Sequence, residues 1–145
     1  MNAKTLVFIL VTCLALIVSS HAVKVEYPGQ AERESSLVLT GTVTAIYSKT
    51  TRDGRYEQNH YVATVRVESI QKGGGLKAGD LAFVRYHGAK RGIGKGELPP
   101  PGFSNGHSNV PSEGERRKVC LNKHADGGLD VYYVSGFQPA DDKQP

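Results

Sequence analysis

The chain has 145 residues, of which 39% are hydrophobic and 22% charged, and its formal net charge is +4. This length fits one ordinary domain, and the composition excludes a collagen-like fibre, a disordered tail and a disulfide-dense mini-protein. The mildly basic balance permits an acidic partner but does not require one. Composition therefore indicates a small folded domain and names no activity.

The first 22 residues have the pattern of a secretory signal peptide. Lys4 precedes an apolar run from Leu6 to Val18, and the small residues Ser20 and Ala22 stand at the −3 and −1 positions of a cleavage site after Ala22. The apolar run is shorter than the roughly 20 residues that a membrane-spanning helix needs. We therefore expect an exported chain, secreted or periplasmic, without a membrane span after cleavage. It would have 123 residues and a net charge of +3.

The mature chain keeps a single cysteine, Cys120, so it cannot form a disulfide bond within itself. Free cysteine is among the most buried residue types, and we expect Cys120 to be buried. An exposed Cys120 could instead link two chains in a dimer.

Five strands are predicted after a polar N-terminal arm of residues 23–36. From Leu37 to Tyr47, apolar residues on odd positions alternate with threonines. Val38 and Ile46 break this alternation, which predicts a bulge near Gly41. Alternation is clearest in the second strand, where Tyr61 and the next three odd residues share one face. The predicted strands cover residues 37–47, 60–70, 81–87, 118–121 and 129–134. Residues 138–145 read as a polar tail.

Between the third and fourth strands, residues 88–115 form a long insert rich in glycine and proline. Loops beyond about 12–15 residues are usually functional or disordered. We predict an all-β fold, a five-stranded, partly closed Greek-key barrel of the OB type over residues 37–137. A two-sheet sandwich is the alternative, although it usually needs about seven strands.

Several motifs are similar to those of netrin-module and metalloproteinase-inhibitor-like barrels. The stretches concerned are Leu-Thr-Gly-Thr-Val at 39–43, Val-Glu-Ser-Ile-Gln-Lys-Gly at 67–73 and Gly-Asp-Leu-Ala-Phe-Val at 79–84. The chain also resembles uncharacterised bacterial secreted proteins with the same barrel, in Gly106-His107, Arg117 to Leu121, residues 126–131 and Gly136-Phe137. The resemblance covers about residues 37–137 and implies an OB-type fold. Animal inhibitors of this type chelate a protease zinc through an N-terminal cysteine, whereas Val23 follows the predicted cleavage site here, so the inhibitory function does not transfer.

Basic residues in and beside the insert are the leading candidates for a binding surface. If the insert folds across the barrel mouth, they form one positive rim, and OB-type barrels bind ligands through such loops. The candidate binding residues are Arg85, His87, Lys90, Arg91, Lys95, His107, Arg116 and Arg117. Outside the cell the matching partner is an acidic glycan, an envelope polymer or another protein, and no nucleic acid is expected.

Metal binding is the alternative function. Copper or zinc ligands could come from His87, His107, His124 and Cys120, and a blue-copper site could add Gln138 as an axial ligand. None of these residues forms a tight motif such as His-x-x-x-His.

Catalysis is not expected. The glycines and lysine of residues 92–96 lack the Lys-Ser/Thr ending of a phosphate-binding loop, and the chain has no Gly-x-Ser-x-Gly elbow. The sequence thus predicts a secreted, non-catalytic binding module without a cofactor. A purely structural envelope protein and a small hydrolase remain open.

Overall fold

The computed structural model describes residues 27–94 and 106–141. The predicted signal peptide at 1–22 and the candidate residue Lys95 lie outside these ranges. The described residues form one short helix and seven strands. Their bounds are α1 Gln30–Glu34, β1 Leu37–Asp53, β2 Tyr56–Lys72, β3 Leu81–His87, β4 Arg91–Gly92, β5 Arg116–Lys123, β6 Leu129–Val131 and β7 Phe137–Pro139. The all-β prediction is confirmed.

Five strands close into a ring in the order β1, β2, β3, β6, β5 and back to β1. Neighbours in the ring are antiparallel except β3 and β6, which are parallel. On the side of β5 away from β1, β6 pairs with Leu121–Lys123 and β7 pairs with Arg117–Val119. Between them the chain turns, with the N–H of Gly136 donating to the carbonyl of Tyr132. This turn ends β6 at Val131, three residues before the predicted end, and Gln138 of the predicted tail pairs within β7.

The interior of the ring is filled by alternate residues of its strands. The face predicted for the second strand is the one that is buried, with Ala63 and Val65 fully enclosed. On β3 the inward residues are Ala82, Val84 and Tyr86. Other buried members of this core are Leu37, Leu39, Val43, Val67, Val119, Leu121, Val131 and Phe137. This continuous apolar core is the main contribution to stability.

Irregularities in β1 change which of its residues face the core. The predicted irregularity near Gly41 is confirmed by a register shift between Thr40 and Gly41, where the extra residue, Glu68, lies on β2. A second shift follows between Val43 and Ala45, and here the extra residue, Thr44, is in β1. An extra residue in a strand reverses the inward and outward faces beyond it. Ile46 therefore packs against the core, while Tyr47, predicted to share the face of Leu37, is 64% exposed.

The first two strands extend beyond the ring as a two-stranded hairpin arm. Pairing of β1 with β2 continues to Asp53 and Tyr56, on either side of a turn at Gly54. The sequence marks a hairpin-type turn at Asp53-Gly54, and the turn is found there, but the prediction ended the first strand at Tyr47. Since β5 pairs with β1 only as far as Thr42, the outer part of β1 has a neighbouring strand on one side alone.

The described part of the N-terminal arm packs against the ring. Ala31 of α1 forms a second buried cluster with Val38, Cys120 and Tyr132. The ammonium group of Lys72 donates to the last carbonyls of this helix. In residues 27–94 and 106–141, no helix has the length and apolar character needed to cross a bilayer.

Candidate functional site

The two ends of the insert meet beside the last residue of β3. Residues 88–94 leave along β2, where the N–H of Gly88 donates to the carbonyl of Asn59. At the returning end, the N–H of His107 donates to the carbonyl of His87, at 3.0 Å. Gly106 lies so close to the outgoing chain that an added Cβ would be 2.4 Å from the nitrogen of Ala89, and its φ is +78°. Only glycine fits both conditions.

The imidazole of His107 bonds to the backbone of two strands. Its Nε2 lies 3.0 Å from the carbonyl oxygen of Val131 on β6, and its Nδ1 lies 3.2 Å from the backbone nitrogen of His87 on β3. A carbonyl only accepts, so Nε2 donates to Val131, while Nδ1 lies 3.2 Å from both the backbone nitrogen and the carbonyl oxygen of His87. His107 thus holds the insert against the ring through both ring nitrogens.

A cleft of about 380 Å³ opens where the insert returns. The rings of His87 and His107 meet edge to face at 4.7 Å, and Tyr133 stacks on His87 at 5.8 Å. His60, Arg85 and Asp130 complete the polar lining. Burial, together with His107 and His60, lowers the pKa of His87, which favours the uncharged form of that ring. The cleft thus has an aromatic wall and three of the predicted residues, Arg85, His87 and His107.

Arg85 is neutralised by two carboxylates. Its guanidinium lies 2.6 Å from Asp130 of β6 and 2.7 Å from Asp126 in the turn before that strand. This contact holds the pKa of Asp126 well below its usual range. Gly128 permits the arrangement, because a Cβ there would be 2.5 Å from the guanidinium. Arg85 therefore fastens the turn of residues 124–128 to β3 and adds no net positive charge to the cleft.

The remaining predicted basic residues fall into two groups with different partners. At the start of β5, Arg116 pairs with Glu68 and Arg117 with Glu115, at 2.6 and 2.7 Å. The other group, Lys90 and Arg91, lies next to the hairpin arm, where β4 pairs with the first residues of β2. Instead of one positive rim, the described candidates form three groups, two of which are charge-compensated.

The alternative metal ligands have separate surroundings. His124 is exposed and lies 3.3 Å from Asp126, whereas Cys120 is buried under α1. His87 and His107 are neighbours, but both ring nitrogens of His107 already bond to backbone atoms. Within the ranges that the structure describes, no group of three or more His, Cys, Asp or Glu residues could hold a metal ion.

The burial of Cys120 predicts an unreactive thiol. Its surroundings raise its pKa to about 11, chiefly because burial disfavours the thiolate. In the native chain at a pH of about 8, we expect iodoacetamide to leave Cys120 unmodified, with complete modification once urea unfolds the chain. Mass spectrometry of the peptide containing Cys120 measures this. Rapid labelling of the native chain, or a disulfide-linked dimer on a non-reducing gel, would contradict the prediction.

Positive charge is concentrated on the hairpin arm and the chain beside it. We call residues 47–59 and 88–94 the basic arm surface. It carries five basic and two acidic residues, a net charge of +3, and the basic ones are Lys49, Arg52, Arg55, Lys90 and Arg91. The other described residues include nine basic and nine acidic side chains, which cancel. The entire net charge of the described residues therefore lies on this surface.

Hydrogen bonds and ion pairs join the parts of the basic arm surface. The N–H of Ile93 donates to the carbonyl of Arg55 at 2.8 Å, and Lys90 lies 3.7 Å from Asp53 at the hairpin turn. Arg52 lies 3.6 Å from Glu57 across the arm. These contacts hold strands that are far apart in sequence as one continuous surface.

Comparison of the chain with protein-family models, curated proteins and solved structures found no match. The chain's own surfaces must therefore point to its function. Lys49, Arg52 and Arg55 were not among the predicted site residues, although the charged stretch around Asp53-Gly54 was visible in the sequence.

Proposed function

We propose that this chain is an exported, non-catalytic module that binds an acidic polymer through the basic arm surface. The observation that carries the proposal is the separation of charge: a net +3 on this surface and zero over the other described residues. A surface of one sign attracts polymers of the opposite sign and raises their association rate.

The partner must be a polymer because single surface ion pairs are weak. An exposed pair contributes about 0–1 kcal/mol, so useful affinity requires several contacts along one ligand. Lys49, Arg52, Arg55 and Arg91 are exposed and offer such contacts, with Lys49 and Arg52 on opposite faces of the arm. Arg52 has only a long contact with Glu57, at 3.6 Å. By contrast, the strong ion pairs of Arg85, Arg116 and Arg117 would have to be broken before these residues could bind a polyanion.

An OB-type fold is part of the proposal. It is supported by the ring order, in which the fifth strand of the ring, β6, lies between the third, β3, and the fourth, β5. OB-type barrels use the loop between their first two strands for binding, and the hairpin arm occupies that position here. Export, inferred from residues 1–22, limits the natural partners to polymers outside the cytoplasm, such as acidic glycans or acidic polypeptides.

Binding to heparin and to poly-L-glutamate tests the proposal, with dextran as the neutral control. We expect the purified chain to bind both polyanions and not dextran. Raising NaCl from about 0.05 to about 0.5 M should abolish binding, because salt screens exposed charges. The combined variant K49E/R52E/R91E should lose at least about tenfold in affinity.

A matched variant separates the effect of charge on the basic arm surface from the effect of the overall net charge. R66E/K77E/K123E changes three exposed basic residues elsewhere and alters the net charge by the same amount. We expect it to retain affinity within about threefold, since screening shortens the reach of distant charges. Equal losses in the two variants, or no binding of either polyanion, would refute the assignment.

A further inference from the structure

The outer part of β1 has a free edge. On the side away from β2, β1 pairs with β5 over Leu37–Thr42. Val43 then exchanges backbone hydrogen bonds with Glu115 and Gly114, and the N–H of Ile46 donates to the carboxylate of Glu113 at 2.9 Å. Beyond Ile46, no described residue offers a backbone partner on that side.

Alternation along the strand identifies which backbone groups face outward. The N–H of Ile46 points away from β2 toward Glu113, and backbone direction repeats every second residue in a strand. Ser48, Thr50 and Arg52 therefore direct their N–H and C=O groups outward. The odd-numbered residues then face β2. This agrees with Asp53, which pairs with Tyr56 of β2 across the two-residue turn.

We propose that the edge at Ser48, Thr50 and Arg52 accepts an extended acidic polypeptide as an added β-strand. The inference rests on the proposed function and names the polymer as a polypeptide. Outward donors and acceptors at alternate residues match the spacing of another backbone. A polysaccharide would meet the same charges but lacks this regular series of amide groups.

The charge of the edge selects against a second copy of this chain. Antiparallel pairing of two such edges would place two positively charged strands side by side, each with Lys49 on one face and Arg52 on the other, and like charges on paired strands are destabilising. Charged residues commonly protect exposed edges from self-association in this way. A segment rich in Glu or Asp reverses the effect, because acidic residues placed beside Lys49 or Arg52 are attracted to them.

Amide exchange measured by NMR gives a specific readout. On adding a ten-residue peptide of alternating Glu and Thr to the full chain, we expect new protection at Ser48, Thr50 and Arg52. The intervening residues, Lys49 and Thr51, already face β2 and should change little. Protection of neither set, with binding otherwise intact, would refute strand addition.

Two changes remove backbone pairing while keeping charge. A fully N-methylated form of the peptide has no N–H groups and should bind at least about tenfold more weakly. On the protein, S48P removes one outward N–H; proline is tolerated at such edge positions, and Ser48 is exposed. We expect S48P to lose affinity for the peptide and to keep its affinity for heparin.

The outcomes distinguish the two proposals. If the N-methylated peptide binds as tightly as the parent, and S48P as tightly as the unmodified chain, the interaction is purely electrostatic and strand addition is wrong. If neither the peptide nor heparin binds, the proposed function itself fails. The N-methylated peptide needs no change in the protein, so this test holds even if S48P does not fold.

Discussion

Replacing His107 by alanine is expected to lower the free energy of unfolding by about 3 kcal/mol, because it leaves two backbone groups without partners. These are the N–H of His87 and the carbonyl of Val131, both bonded to the His107 ring. The variant also loses the packing of that ring against His87 and Tyr133. Urea denaturation measures the change, and limited proteolysis within the insert should become faster.

A second histidine supplies the control. His124 is exposed, and its ring contacts Asp126 at 3.3 Å, so H124A should change stability by less than about 0.5 kcal/mol. If H107A is no less stable than H124A, or if its insert stays resistant to proteolysis, His107 does not hold the insert. The attachment of His107 bears on function because its neighbour Gly106 lies against residues 88–94, which carry Lys90 and Arg91.

Regular alternation made β2 predictable. Its odd-numbered face, singled out in the sequence from Tyr61 onward, is the face buried in the core. On β3, apolar residues occur on both faces, and Leu81 and Phe83 are exposed, so the pattern did not mark the buried face there. Alternation reports burial directly, because side chains of a strand point to opposite faces. The order in which strands pair is set by contacts distant in sequence, so it could be predicted only through the resemblance.

Irregular features escaped the sequence-based prediction for identifiable reasons. The shift near Thr44 reversed the face of Tyr47; Ile46 broke the alternation in the sequence, but the prediction placed the bulge near Gly41. Strand β4 has two residues, too few to show a period. The turn of the hairpin arm was marked by Asp53-Gly54, but its strands were not predicted because their residues are polar on both faces, which removes the alternation that marks a strand.

Charge compensation was likewise invisible along the chain. Arg85 pairs with Asp126 and Asp130, which lie more than forty residues away. Arg116 finds Glu68 at a separation of 48 residues. Counting neighbouring basic residues therefore selected side chains that the fold neutralises. It missed Lys49, Arg52 and Arg55. These residues contribute to a net positive surface because the fold brings the hairpin arm and β4 together.

Replacing Gly41 by alanine is expected to destabilise the chain by about 3 kcal/mol, the upper part of the usual range for overpacking. Gly41 is paired on both sides, with Val67 of β2 and Arg117 of β5. An added Cβ would lie 2.3 Å from the carbonyl oxygen of Arg66. That oxygen belongs to the backbone, so relief requires separation of two strands of the ring. Urea denaturation should show a lower midpoint with an unchanged m-value.

Gly74 provides the matched comparison for Gly41. An added Cβ there meets no atom within 4 Å, and its φ is not in the left-handed region, so G74A should change stability by less than about 0.5 kcal/mol. Equal stability of G41A and G74A would mean that β1 and β2 do not approach closely at Gly41. Gly41 lies outside the proposed binding edge at Ser48, Thr50 and Arg52, so G41A should weaken binding of the Glu-Thr peptide only to the extent that it unfolds the chain.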